Sequence, residues 1–225
     1  SDMGYSIAID GPAGAGKSTI AKKLAKRLNF IYIDTGAMYR AMGLFFARNK
    51  INLADEEIVA AACKGIDIQV TYENGQQQIW LQGENVTDLI RTEEAGNMAS
   101  SCAVIDSVRR KLVALQRKMA QESNVIMDGR DIGTVVLPEG DLKIFLTADV
   151  ETRAERRFKE LTDKGESCNI DTIREIIENR DYRDTHRAVS PLRQAEDAVY
   201  LDSSHLSEEE VINRILDIFS EKTGC

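Results

Sequence analysis

The chain has 225 residues, 43% hydrophobic and 29% charged, with a net charge of −8 at pH 7 and a pI near 5.0. That length suits one domain with a smaller insertion. The acidic balance argues against broad nucleic-acid binding, and no apolar run reaches the length of a membrane span.

Ser1 and Asp2 ahead of Met3 read as a cloning remnant, and no signal-peptide pattern opens the chain. An apolar strand is expected from Tyr5 to Ile9, ending in Asp10. The run Gly11-Pro12-Ala13-Gly14-Ala15-Gly16-Lys17-Ser18-Thr19 follows, with the spacing G-x-x-x-x-G-K-[ST]. Its glycines let successive backbone N–H groups point inward at a polyphosphate. A helix beginning at Lys17, with Ile20, Leu24 and Leu28 on one face, puts its positive dipole end on the same anion. Lys17 reaches the terminal phosphates, and Ser18 offers a hydroxyl to Mg²⁺. Strand, loop and helix in this order predict binding of a nucleoside triphosphate.

A second strand is expected at Phe30 to Ile33, and Asp34-Thr35-Gly36-Ala37-Met38-Tyr39-Arg40 leaves its end. Ligands of doubly wound sheets sit at such strand ends. Thr35 caps a helix running toward Leu44 and carrying Arg40; the plain alternative is a capped helix with a surface arginine. Ile66, Ile68, Val70 and Tyr72 then alternate with polar residues, Asn74-Gly75 supplies a hairpin turn, and Ile79 to Leu81 returns. An antiparallel insertion is expected at about 66–88. A helix follows with Ile105, Val108, Leu112, Leu115 and Met119 at helical spacing.

The strand expected at Asn124 to Met127 ends in Asp128, placed to hold Mg²⁺ directly or through water. Gly129 lets the chain turn so that Arg130 and Asp131 face the cleft, unless those two simply pair with each other. Strands at Leu142 to Leu146 and Ala198 to Leu201 complete the set. Their lack of strict alternation suits a parallel sheet buried on both faces. Between them lie two arginine-rich helices, with Arg153, Arg156 and Arg157 on one face and Arg180, Arg183 and Arg187 repeating at i, i+3 and i+7. Either they are solvated faces, or their guanidinium forks meet the oxygens of a transferring phosphoryl group. The last helix opens with a capping box, Ser207 and Glu210. Alternating strands and helices predict a doubly wound α/β core. Four dispersed cysteines (63, 102, 168 and 225) point to free thiols in a reducing cytoplasm, and only two histidines argue against histidine-based metal or triad chemistry.

Together these segments resemble the bacterial cytidylate kinases, of the nucleoside monophosphate kinase group, from Tyr5 to the final helix. The most specific pieces are Ile9 to Thr19, Asp34 to Arg40, Asp128-Gly129-Arg130-Asp131-Ile132-Gly133-Thr134 and Arg180-Asp181-Tyr182-Arg183-Asp184. The resemblance implies a five-stranded parallel P-loop core at 3–34 and 124–225, with a lid at about 150–187. A monophosphate-binding region at 35–123 would contain the hairpin insertion. It implies phosphoryl transfer from ATP to CMP or dCMP. By position, Arg40, Arg130 and Arg187 look like the clamp on the acceptor phosphate, with Lys17 beside them in catalysis. Ser100, Arg109 and Asp131 look like the cytosine-reading set, Arg180 and Asp184 like sugar contacts, and Thr35 belongs with the acceptor residues. Arg153, Arg156 and Arg157 look like lid residues over the ATP phosphates. Within that family Ser18 can be glycine and Thr35 serine, which leaves the Mg²⁺ hydroxyl to Ser18 or Thr19.

Other small-acceptor kinases, for UMP, shikimate or gluconate, remain open on the residues alone, though the density of arginines favours a phosphorylated acceptor. A GTP-dependent switch would need N-K-x-D, and Asn49-Lys50-Ile51-Asn52 lacks the aspartate. With no surplus apolar face evident, a monomer acting on small molecules is expected, without nucleic-acid or membrane partners.

Overall fold

The computed structural model describes residues 4–225; the reading of Ser1 and Asp2 as a remnant lies outside the described residues. The main sheet has five parallel strands with helices on both sides. Its strands are β1 (Ser6–Asp10), β2 (Ile31–Asp34), β6 (Val125–Gly129), β7 (Leu142–Thr147) and β8 (Val199–Asp202), in the order β2-β6-β1-β7-β8. The two central strands β6 and β1 are buried at every position, as continuous apolar runs in a parallel sheet require. Each expected strand forms within a residue or two of its expected place.

The chain divides into two compact units. Tyr5–Phe30 with Ile126–Cys225 makes one, and Ile31–Val125 the body of the other. In the first, α1 (Lys17–Leu28) buries Ile20 and Leu24 and ends on Asn29 in the left-handed conformation. Tyr5, Phe30 and Phe219 pack edge to face and stacked. The last helix, α8 (Glu208–Thr223), carries the expected capping box, both halves present. Such a cap is worth about 1 kcal/mol. The pair α6 (Val150–Asp163) and α7 (Ile170–His186) has its own small core of Ala154, Ile173 and Ile177 under Phe158 and Leu161.

The second unit holds α2 (Thr35–Arg48), α3 (Glu56–Gly65), α4 (Glu93–Cys102) and α5 (Asp106–Glu122) together with a three-stranded antiparallel sheet that packs against α2. Its strands are β3 (Ile68–Glu73), β4 (Gln76–Leu81) and β5 (Glu84–Asn85). Asn74 and Gly75 both have positive φ, 53° and 76°, which is the twist that a two-residue hairpin demands. The register pairs Glu73 with Gln76 and Ile68 with Leu81, so the insertion is the expected hairpin with a short third strand. One local expectation changes. Asp34, not Thr35, caps α2, its carboxylate accepting from Ala37 N at 3.1 Å. The carboxylate of the last strand residue already reaches the first free N–H groups, and Thr35 becomes the first residue inside the helix, 4% exposed.

A phosphate loop and an arginine-rich acceptor set

The loop between β1 and α1 is shaped for an anion. Gly14 and Gly16 have φ of 75° and 88°, where a side chain is strained, and a Cβ at Gly11 would stand 1.9 Å from Leu146 O, which closes that position outright. Lys17 is buried, and its Nζ donates to Pro12 O at 2.9 Å. Burial, then the neighbouring Arg130 and Arg180, depress its pKa to about 7 against the opposing pull of Asp128 and Asp184. A buried lysine with two partly buried arginines beside it favours a multiply charged anion there. Ser18 and Thr19 are exposed at the start of α1, and Asp128 is buried at the end of β6.

Behind the loop, Arg130 Nε donates to Asp184 Oδ2 at 3.1 Å, so two expected acceptor contacts are already paired with each other. Arg153, Arg156 and Arg157 do not share one role. Arg153 is 4% exposed and makes a bidentate pair with Asp181 at 2.9 and 2.6 Å, while it also donates to Ala148 O and to Ala13 O of the phosphate loop. Arg156 binds Ser203, and Arg157 pairs on the surface with Glu160 of its own helix. The helical repeat expected through Arg187 also stops short. Helix α7 ends at His186, Arg187 is extended, and its guanidinium donates to Ser190 O at 2.8 and 2.6 Å. The break comes at Arg187 itself, φ −64° and ψ 146°, and Ser190, at positive φ before Pro191, turns the chain back to that guanidinium. Arg180 is half-buried on α7.

Within the second unit, Arg40 reaches Asp34 at 3.5 Å, and its Nε is a buried donor with no hydrogen-bond partner among the described residues. Arg109 is 5% exposed, donates to Ala103 O at 3.0 Å and lies 5.5 Å over the Tyr39 ring. Those contacts hold it rigidly, cation on aromatic face. Ser100 donates back to Gly96 O within α4. The residues that sequence reasoning missed are the supports. Gln77 from β4 accepts from Asp34 N at 3.0 Å and donates to Asp34 O at 3.2 Å, and Tyr72 donates to Tyr32 O at 2.9 Å. The hairpin thus grips the end of β2, where the helix carrying Arg40 begins. Burial pushes the Tyr72 phenol well above its ordinary range. The other missed residue is Asp10, whose carboxylate is buried in the first unit; a polar residue closing an apolar strand beside the loop was its only signal in the sequence.

The model of a family described as cytidylate kinase matches residues 7–221. The chain is 50% identical to a cytidylate kinase of Caldicellulosiruptor bescii over 213 residues, covering 95% of this chain and 94% of that one. It is 47% identical to one from Geobacillus sp. (strain WCH70), covering 97% of each, and 48% to one from Enterococcus faecalis, covering 96% of each. Among solved structures, an uncharacterized protein from Eubacterium ventriosum aligns over 96% of this chain and 98% of its own, at 13% identity and a TM-score of 0.54, a likeness of fold alone.

Proposed function

The chain belongs to the cytidylate kinase family and transfers a phosphoryl group from ATP to CMP or dCMP, and we propose how its own residues divide that reaction. The observation that carries the reading is Lys17, buried in the phosphate loop with its Nζ on Pro12 O at 2.9 Å, its pKa depressed first by that burial and then by Arg130 and Arg180. The ATP phosphates lie along Gly11 to Thr19, and Lys17 spans the donor and the transferring group. Arg156 and Arg157 face the ATP phosphates from the lid, while Arg153, through Ala13 O and Asp181, ties the lid helices to the loop.

On the acceptor side, Arg40, Arg130 and Arg187 hold the monophosphate as bidentate forks, and the unpartnered Nε of Arg40 supports that role. Arg109, Ser100 and Asp131 read the cytosine edge, Arg180 and Asp184 the sugar, and Thr35 lines the same region. The Arg130–Asp184 pair supports sugar and phosphate contacts being made side by side. The acceptor oxygen is already anionic, so no general base is required. The protein's task is to neutralise and align two anions and to exclude water.

The hydroxyl of Ser18 and the carboxylate of Asp128 are hard oxygen donors and suit Mg²⁺ brought in with the triphosphate. Among the described residues no cluster of three or more His, Cys, Asp or Glu forms a metal cage, which fits an ion that keeps water and phosphate as its other ligands. When bound, Mg²⁺ neutralises charge on the β- and γ-phosphate oxygens.

We read the protein as a cytoplasmic monomer that works on these small molecules without nucleic-acid or membrane partners. Its four cysteines are free, and no helix among the described residues is long and apolar enough to cross a membrane. A coupled ADP-release assay across the common monophosphates tests the acceptor assignment. CMP and dCMP are expected to be phosphorylated and UMP poorly; equal turnover of UMP would overturn the base-reading set. Light scattering tests the monomer.

A further inference from the structure

We propose that Asp10 is a positioning residue for the acceptor base, fixing the Arg130–Asp131 corner to the entry of the phosphate loop. It ends β1 immediately before Gly11 and is 5% exposed. Its Oδ1 accepts from Ile132 N at 2.9 Å and its Oδ2 from Gly133 N at 2.7 Å. Two oxygens on two consecutive peptides set an orientation as well as a distance. A neutral amide cannot do this, because it has one acceptor oxygen where the carboxylate has two.

The gripped peptides follow Asp131 directly. Asp131 O accepts from both Val135 N and Val136 N, at 2.9 and 3.1 Å, opening a single π-helical turn over Ile132–Val136. Such turns are rare and often mark functional positions. The Asp131 main chain is therefore held by β6 before it and by the Asp10 carboxylate just after it. Little slack exists at the joint: a Cβ on Gly133 would stand 3.3 Å from Asp10 Oδ2 and 3.1 Å from Lys143 Cδ. Burial pushes the Asp10 carboxyl up, while the two N–H bonds and the charges of Lys17 and Arg130 oppose that push. One carboxylate thus joins the donor loop and the residue assigned to the base.

The inference rests on Asp131 reading the base, so the experiment separates the two. kcat/KM is measured for CMP and UMP in Asp10→Asn, Gly133→Ala, Asp131→Asn and the double variant Asp10→Asn with Asp131→Asn. ATP affinity without acceptor and the thermal midpoint are measured alongside. Asp10→Asn is expected to lower the CMP/UMP ratio by about tenfold, the scale of one mispaired buried contact. ATP affinity should be unchanged, and the double variant should discriminate no worse than Asp131→Asn alone. Gly133→Ala keeps the charge and displaces the contact by tenths of an ångström, so it should lower the ratio less, and it decides the matter if Asp10→Asn does not fold. A ratio unchanged in both Asp10→Asn and Gly133→Ala, with Asp131→Asn lowering it, overturns the positioning role and leaves Asp10 a structural tie. A ratio unchanged in Asp131→Asn overturns the base reading itself, and this inference with it.

Discussion

The phosphate loop and the proposed acceptor set address the same problem, holding a nucleotide, with different materials. The loop uses main chain: Gly11, Gly14 and Gly16 permit a path that lines up N–H groups, and only Lys17 adds a side chain. The acceptor set as we propose it uses long side chains from distant positions, Arg40, Arg130 and Arg187 for the phosphate and Arg109 for the base, steadied in turn by Asp34, Asp184, Ser190 O and Ala103 O. A main-chain cradle is cheap in side-chain entropy but takes any phosphate. A side-chain cradle needs supports, and in exchange it can discriminate.

Four outcomes would break or sharpen that contrast. Lys17→Ala should have the largest effect, lowering transfer by about 10³-fold because the bridging charge is lost from a dry site, while the loop main chain still binds phosphate. Steady-state turnover with nucleotide affinity measured separately checks this, and near-normal turnover would remove the loop lysine from the chemistry. Arg187→Ala and Arg130→Ala come next, each lowering kcat/KM for CMP by roughly 10²-fold with ATP KM little changed. Arg130→Ala also strands the buried Asp184 carboxylate, so adding Asp184→Asn should recover stability but not activity. A loss confined to the KM for ATP would mean the arginines had been divided wrongly between the substrates.

Asp131→Asn should act on selectivity more than on rate. An ionised Asp131 accepts from the cytosine amine and opposes the uracil oxygen, so the CMP/UMP ratio should fall by about tenfold, chiefly through loss on CMP. The smallest effect is in stability. Burial pushes the Cys102 thiol of the second unit up to about 12 from an ordinary 9.0, whereas Cys225 of the first unit is exposed. The unfolded thiol ionises first, so this contribution is intact below pH 9 and is lost as pH rises toward 12. The thermal midpoint should drop between about pH 9 and 10.5, the first half of that window, with a shallower slope in Cys102→Ala.

The loop was readable because its constraint is local: a backbone path that excludes side chains forces glycines at fixed spacing. The hairpin was readable for the same reason, through alternation and Asn74-Gly75. Strand ends and helical spacing pointed to Arg40, Arg130, Asp131, Arg180 and Arg187, but their separate roles, and Ser100 and Arg109 altogether, came only from resemblance. Periodicity even misled where it was carried too far. It put Arg187 on a helix that stops one residue earlier, and it grouped Arg153 with Arg156 and Arg157 although Arg153 is buried against Asp181 and Ala13 O. A periodic pattern shows which way a side chain leaves a helix, and only the tertiary neighbours decide whether it meets solvent or a carboxylate. Asp10, Tyr72 and Gln77 were invisible as supports because their partners are main-chain atoms, which carry no residue identity.

The hold of Gln77 and Tyr72 on the end of β2 bears on protein engineering. A shortened kinase made by excising 66–88 would lose more than an appendage, because Asp34 N, Asp34 O and Tyr32 O would each surrender a side-chain partner. A replacement loop that closes the gap in length alone would leave those atoms to solvent and the start of α2 unguided. A workable graft must bring one amide and one hydroxyl to the same three atoms, which turns a choice of loop length into a choice of two side chains.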